Sequence, residues 1–137
     1  MKITTKDSID VKTRDVLWTG LSKHNTKYAN RNRKDFTVTV SDDGKIIGGA
    51  VGESKFGWMI VQYLWVDPNC RGNGIGSKIM AKVEKLGEKR KCLGVGLDTF
   101  SFQAPKFYSR LGYRRFNSIK NHPDGFSKYW YAKQLGS

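Results

Sequence analysis

The sequence predicts an α/β fold: one domain built on a mixed, mostly antiparallel sheet with helices on both faces. Three observations predict it. The apolar residues alternate between helical and strand spacing in the order helix, three strands, helix, strand, helix, two strands. The run Trp58–Val66 is apolar on both faces, as expected of a central strand covered on both sides. Directly after it, a glycine-rich turn leads into a segment whose apolar positions Ile75, Ile79, Val83 and Leu86 share one helical face.

The elements follow in order. Val11 to Tyr28 has roughly helical spacing at Val11, Val16, Leu17, Leu21 and Tyr28, with Asp10 as the N-cap. Asn30 to Asp35 is polar and basic and reads as a loop. Phe36–Val40 is rich in β-branched residues and predicts a strand. Asp42-Asp43-Gly44-Lys45 is a hairpin turn signal. The returning strand, Ile46–Gly52, carries glycines that point to a bulge or to close backbone approach. The long helix is predicted from about Gly74 to Lys91, a strand over Leu93–Phe100, and a short helix over Gln103–Leu111 with Gly112 as its stop. Tyr113–Ile119 and Phe126–Leu135 read as two final strands around Asn121-His122-Pro123-Asp124-Gly125. No repeat or linker divides the 137 residues, so one domain over 1–137 is expected.

Composition narrows the function. Apolar residues at 38% and aromatics at 12% suit a folded chain with a core. No stretch is long and apolar enough to span a membrane, and the opening Met1–Asp7 lacks the apolar run of a secretory leader, so a cytoplasmic location and no membrane partner are expected. Cys70 and Cys92 form no CxxC or ligand cluster; no metal and no disulfide are expected, with Cys92 a small buried residue. The formal net charge of +13, from 25 Lys and Arg against 12 Asp and Glu, favours anionic partners. Nucleic acid is a lesser candidate among them, because stacking motifs, a helix-turn-helix pattern and zinc spacing are all absent.

The sharpest feature is Asp67-Pro68-Asn69-Cys70-Arg71-Gly72-Asn73-Gly74-Ile75-Gly76-Ser77. Glycines let backbone N–H groups face inward, and the following helix start adds partial positive charge, which together suit a phosphate. Arg71 can add a charge-assisted contact. A Walker A loop fails for want of its Lys-Ser/Thr pair, and the dinucleotide fingerprint fails because the third glycine comes one place early.

The segment Arg71-Gly72-Asn73-Gly74-Ile75-Gly76 resembles the [QR]-x-x-G-x-[GA] motif of the GNAT superfamily of N-acetyltransferases. A second segment, Ala104-Pro105-Lys106-Phe107-Tyr108-Ser109-Arg110-Leu111-Gly112-Tyr113, resembles that family's A-x-x-[FL]-Y-x-x-x-G-[FY] stretch. Thr99-Phe100-Ser101-Phe102-Gln103-Ala104-Pro105 is similar to a small bacterial subgroup. The resemblance covers roughly Phe36 to Leu135 and implies a GNAT-like sheet that splays between Trp58–Val66 and Leu93–Phe100, with acetyl-CoA as cosubstrate in the gap.

It further implies direct transfer of the acetyl group to a primary amine in a ternary complex. The implied cofactor-binding residues are Leu64, Trp65, Val66, Arg71, Gly72, Asn73, Gly74, Ile75, Gly76, Ser77, Ser101, Lys106 and Tyr108, with Leu64–Val66 acting through the main chain. Ser101 stands where the family often carries Asn. Tyr108 is implied as the acid that protonates the leaving thiolate. A base is harder to place, because Trp58–Val66 has no acidic residue and carries Gln62 instead; Glu53, Asp98 and a water path are the candidates. His24, closing the first helix, is a candidate for lining the acceptor pocket, and His122 a candidate for its rim. The aromatics Trp58, Trp65, Tyr129, Trp130 and Tyr131 read as core or sheet surface. The acceptor, a small molecule or a protein, is left open, as is a homodimer. So are two other functions: a non-catalytic acyl-CoA sensor and a basic nucleic-acid-binding module.

Overall fold

The structure is a computed structural model that describes residues 1–136. Contacts group them into two compact units: an N-terminal one through Arg31 and a larger one from Asn32 onward.

The N-terminal unit holds one helix, α1 (Val11–Asn25). Asp10 caps it as the sequence predicts: its carboxylate accepts from the Thr13 N–H at 3.0 Å and from the Thr13 hydroxyl at 2.6 Å. Lys6, 2.6 Å away, and these Thr13 bonds hold the Asp10 carboxyl below its ordinary range. The helix ends at Asn25, three residues short of the predicted Tyr28, because residues 26–28 form a turn. The His24 ring lies 5.3 Å from that of Tyr28, and Arg31 lies 4.6 Å over Trp18.

The larger unit is built on six strands: β1 (Lys34–Asp42), β2 (Lys45–Lys55), β3 (Trp58–Val66), β4 (Gly94–Phe100), β5 (Arg114–Lys120) and β6 (Ser127–Gln134). Two helices join them, α2 (Ile75–Lys89) and α3 (Pro105–Arg110). The sheet order is β1-β2-β3-β4-β6-β5, antiparallel except for the β3–β4 pair. The β1–β2 hairpin turns at Asp43 and Gly44, both at positive φ (48° and 74°), the geometry that an Asp-Gly pair favours.

Directly opposed residues share a sheet face, so the register assigns Phe36, Ala50, Gly52, Met59, Val61, Leu97 and Tyr131 to one side. Ile79, Met80 and Val83 of α2 and Tyr108 of α3 join them in a single core. Arg90, just past α2, ties that helix to the first two strands: it donates to the carbonyls of Lys34 and Asp35 and to the Ser54 hydroxyl, at 2.9–3.0 Å.

Two irregularities shape β3. Val51 pairs with Tyr63 and Gly52 with Val61, so Gln62 is an extra, bulged residue. The bulge resets the alternation, turning Leu64 and Val66 toward the core and Tyr63 and Trp65 away from it. The second irregularity follows at once. β3 and β4 pair only from Trp58↔Gly94 to Val61↔Leu97, then part. The expectation that β3 is covered on both faces along its whole length is therefore corrected. Met59 and Val61 are buried, but Tyr63 and Trp65 are 73% and 50% exposed where the neighbouring strand leaves.

The β2 glycines do both things expected of them. Ile47 is a bulged residue against Val40 and Ser41, and Gln62 bulges against Val51 and Gly52. A Cβ on Gly49 would lie 2.4 Å from the Val38 carbonyl oxygen, and one on Gly52 2.0 Å from that of Ile60. Among the described residues no helix is long and apolar enough to cross a membrane. Gly52→Ala should lower the unfolding free energy by about 1–3 kcal/mol or more, since backbone rather than a flexible side chain must yield; urea unfolding measures this, and an unchanged midpoint would contradict the packing described.

Candidate active site

The turn after β3 builds its own geometry. The Asp67 N–H donates to the Ile47 carbonyl at 2.8 Å, and the Asp67 carboxylate accepts from the Asn69 N–H at 2.9 Å. Pro68–Cys70 then forms a single 3-10 turn, which sequence periodicity did not reveal because the Asp-Pro pair acts over only three residues. Arg71 folds back, its Nε donating to the Val66 carbonyl at 3.0 Å, while its two terminal nitrogens have no partner among the described residues. The Asn73 amide donates to the Cys70 carbonyl at 3.3 Å.

Gly72 (φ 84°) and Gly74 (φ 72°) hold the left-handed backbone that lets the chain turn from this loop into α2. A Cβ at either would meet nothing within 4 Å, so open space lies beside both. Gly74 is the N-cap of α2 and supplies no side-chain acceptor. The first α2-directed bond runs from the Lys78 N–H to the Gly74 carbonyl at 3.1 Å. The N–H groups of Gly72, Asn73, Gly74, Ile75, Gly76 and Ser77 therefore donate to no acceptor among the described residues. A row of unpaired donors at a helix start, beside open space, suits an anion with several oxygens.

Gly76 differs from its two neighbours. A Cβ there would come within 3.1 Å of the Phe107 ring, so its bareness seats α3 against the first turn of α2. The sequence reading grouped Gly76 with the phosphate glycines and did not foresee this packing, since the ring comes from 31 residues later in the chain.

Next to Phe107, Tyr108 is 7% exposed and packs with Tyr113 and Tyr131, with ring centroids 6.1 and 6.0 Å away. Two of these phenols are tied. Tyr113 donates to Glu84 at 3.0 Å, and Tyr131 accepts from Arg115 at 3.0 and 3.2 Å, while the Arg115 guanidinium also lies 3.5 Å over Tyr129. The Tyr108 hydroxyl alone of the three has no protein partner among the described residues, yet it is not among the sealed, unpartnered polar atoms. Burial, and secondarily the nearby Asp98 carboxylate, push its phenol up to about 12, so it holds its proton across the neutral range.

Asp98 lies on β4 one residue past the last β3–β4 pair, opposite Trp130, with its carboxylate 3.6 Å from the Lys128 ammonium. It is 48% exposed at the side chain and lies on the sheet face opposite that of Leu97 and Tyr131. Glu53 lies elsewhere: it is level with Ile60, where the sheet is still zipped. Its carboxylate bridges Arg33 at 2.5 Å and Lys55 at 3.2 Å. Burial works to raise its carboxyl, but the bonds and charges of Lys55 and Arg33 outweigh it and hold the group below its ordinary range.

Leu64, Trp65 and Val66 occupy the stretch of β3 with no strand on its β4-facing edge, which leaves main-chain groups there for a ligand. The Ser101 hydroxyl accepts from the Ser127 N–H at 2.9 Å, and the Ser101 N–H donates to the Ser127 carbonyl at 2.7 Å, so this residue extends the β4–β6 pairing. Lys106 is exposed on α3 with no ion pair among the described residues. Strand pairing thus sets the bared edge of Leu64–Val66, the loop that follows it and Asp98 beyond the last β3–β4 pair, and leaves Glu53 at the level where the strands are still paired, while the contact of Phe107 with Gly76 ties Tyr108 to the loop. One local role escaped the sequence reading: the Gln103 side-chain carbonyl accepts from the Phe100 N–H at 2.8 Å and the Thr99 hydroxyl at 2.9 Å, closing the turn that aims α3.

Comparison with known proteins agrees with this geometry. A sequence model described as acetyltransferase (GNAT) domain matches residues 33–115. The chain is 39% identical over 100 residues to the blasticidin-S acetyltransferase of Streptomyces morookaense, covering 72% of this chain and 74% of that protein. Its fold superposes on an acetyltransferase from Bacillus cereus with a TM-score of 0.88, at 28% identity over 96% of this chain and 98% of the other. A streptothricin acetyltransferase from Bacillus anthracis, solved in complex with acetyl coenzyme A, shares the fold at a TM-score of 0.68 and 18% identity, over 80% of this chain and 67% of that one. The parted strands, the open amide loop and the two matching segments place this chain in the GNAT family of acetyltransferases.

Proposed function

We propose that the protein transfers the acetyl group of acetyl-CoA to a primary amine by direct transfer with both substrates bound. The unpaired N–H groups of residues 72–77 carry this reading, because they match the diphosphate of a coenzyme in charge, reach and number of donors. The open space beside Gly72 and Gly74 supports the fit, as do the free terminal nitrogens of Arg71. The bared edge of Leu64–Val66 suits an extended arm lying along β3, with a main-chain N–H directed at the acetyl oxygen.

The thioester supplies an activated acyl group. Attack by the neutral amine forms the C–N bond and breaks the C–S bond. Tyr108 gives its proton to the departing sulfur and regains one from solvent. The surplus proton on nitrogen passes to Asp98 or to water. Asp98 is favoured over Glu53 because it lies one residue past the last β3–β4 pair and its charge acts on Tyr108, whereas Glu53 is held between two cations. The name of the Streptomyces relative favours a small antibiotic-like amine over a protein as acceptor.

Gly74→Trp should abolish acetyl-CoA binding in calorimetry by filling the loop; retained affinity would remove the loop from the site. Tyr108→Phe should leave that affinity unchanged and lower kcat by about 10²-fold, whereas equal turnover would dismiss the phenol as the acid. With a phenol at about 12, activity should rise with pH as the amine is deprotonated and show no alkaline loss below about pH 10. A falling limb centred near pH 8 would mean that another group supplies the proton.

A further inference from the structure

The outer side of α2 carries a row of lysines that the transfer chemistry does not use. Lys78, Lys82, Lys85 and Lys89 follow one another at spacings of four, three and four. At about 3.6 residues per turn these spacings hold all four within roughly 60° of one another, along about 16 Å of helix. All four are exposed, and none has an ion pair among the described residues. The apolar side of the helix is committed to the core: Ile79, Met80 and Val83 are buried there, with Ile75 and Leu86 packed against them.

Carboxylates do not balance the row. Glu84 accepts from the Tyr113 hydroxyl at 3.0 Å and from the Lys133 ammonium at 2.7 Å. Glu88 lies about a quarter-turn round the helix and forms no ion pair among the described residues. Lys78 and Lys82 are four apart, as are Lys85 and Lys89, a spacing at which like charges repel and weaken a helix. The first turn holds no acidic residue, so Lys78 also stands near the positive end of the helix dipole. An anion laid along the row relieves all of this repulsion.

The shape of the row selects the class of anion. A lipid surface holds a basic helix through its apolar side, and in α2 that side is buried. A phosphodiester chain carries a charge at every unit. A duplex presents one charge per about 1.7 Å of axis, so about ten lie along the length of the row. The chain has no stacking or groove-reading motif, so the contact is to the backbone and independent of base sequence.

We propose that Lys78, Lys82, Lys85 and Lys89 form a docking surface for the phosphodiester backbone of a nucleic acid. This surface does not rest on the acetyl-transfer reading.

The test measures binding of the full chain to a fluorescent DNA duplex of about 20 base pairs, and to an oligo-dT strand of about the same length. Anisotropy is followed from about 50 to 200 mM salt. Replacing Lys82→Gln, Lys85→Gln and Lys89→Gln together should lower the slope of log affinity against log salt by about 2–3. Affinity at about 50 mM salt should fall at least about 10-fold. Arginine at the same three positions should preserve both. Lys12→Gln, Lys23→Gln and Lys27→Gln together remove the same charge from exposed lysines of the N-terminal unit, and should cost less than about 3-fold. All of these variants should bind acetyl-CoA as the parent does. Lys85→Gln alone, expected to lower the slope by about 1, replaces the triple variant if that variant unfolds. Whichever of duplex and strand binds more tightly names the form recognised, and either result supports the surface. No binding at the lowest salt, an unchanged slope in the row variant, or equal losses in the two glutamine triples would overturn it. Tighter binding to phosphatidylserine vesicles or to polyglutamate would overturn it as well, and assign the row to a lipid or an acidic protein.

Discussion

The parting of β3 from β4 beyond Val61 is the constraint on which the rest of the site depends. A parallel pair that stayed zipped would satisfy every main-chain group on that edge and leave no room between the strands. Here the bulge at Gln62 shifts the β3 alternation at the same level where β4 leaves. Leu64 and Val66 keep the core closed underneath, while the strand edge above is bare. β4 does not end there but continues along β6 to Phe100, so the gap has two firm walls. Asp98 and the loop after β3 then both lie beyond the last β3–β4 pair as a result of strand pairing rather than of side-chain rearrangement.

Around that opening the polar groups divide by whether the protein has already satisfied them. Tyr113, Tyr131, Ser101 and Glu53 are each engaged with a neighbour inside the fold. The Tyr108 hydroxyl and the loop amides are not. A buried hydroxyl without a partner is costly, as at Tyr108, whereas the loop amides are mostly exposed and stand ready to exchange water for a ligand. The same contrast separates the two acidic candidates, since Glu53 is neutralised twice and Asp98 meets a single lysine at 3.6 Å.

Much of this was legible in the sequence. Strand and α-helix types came through because the apolar periods are strong, and the ends moved by only a few residues: β2 runs on to Lys55, and α1 stops at Asn25. The turn into α2 and the short helix bearing Tyr108 were legible because glycine spacing and an aromatic pair are local signals. What was not legible involves partners far apart in the chain. The cover over Tyr63 and Trp65 could not be judged without knowing where β4 leaves. The cations around Glu53 come from a loop and a strand end. Only the pairing of Val51 with Tyr63 and of Gly52 with Val61 reveals Gln62 as the bulge.

The contact between Gly76 and Phe107 joins the anion loop to the helix bearing the phenol through adjacent residues on each side, Ser77 at one end and Tyr108 at the other. The loop and the phenol are thus coupled through one close approach rather than set independently. In the proposed reaction that approach would gauge the span from diphosphate to sulfur, so a bulkier residue at position 76 would act on both ends of the substrate at once.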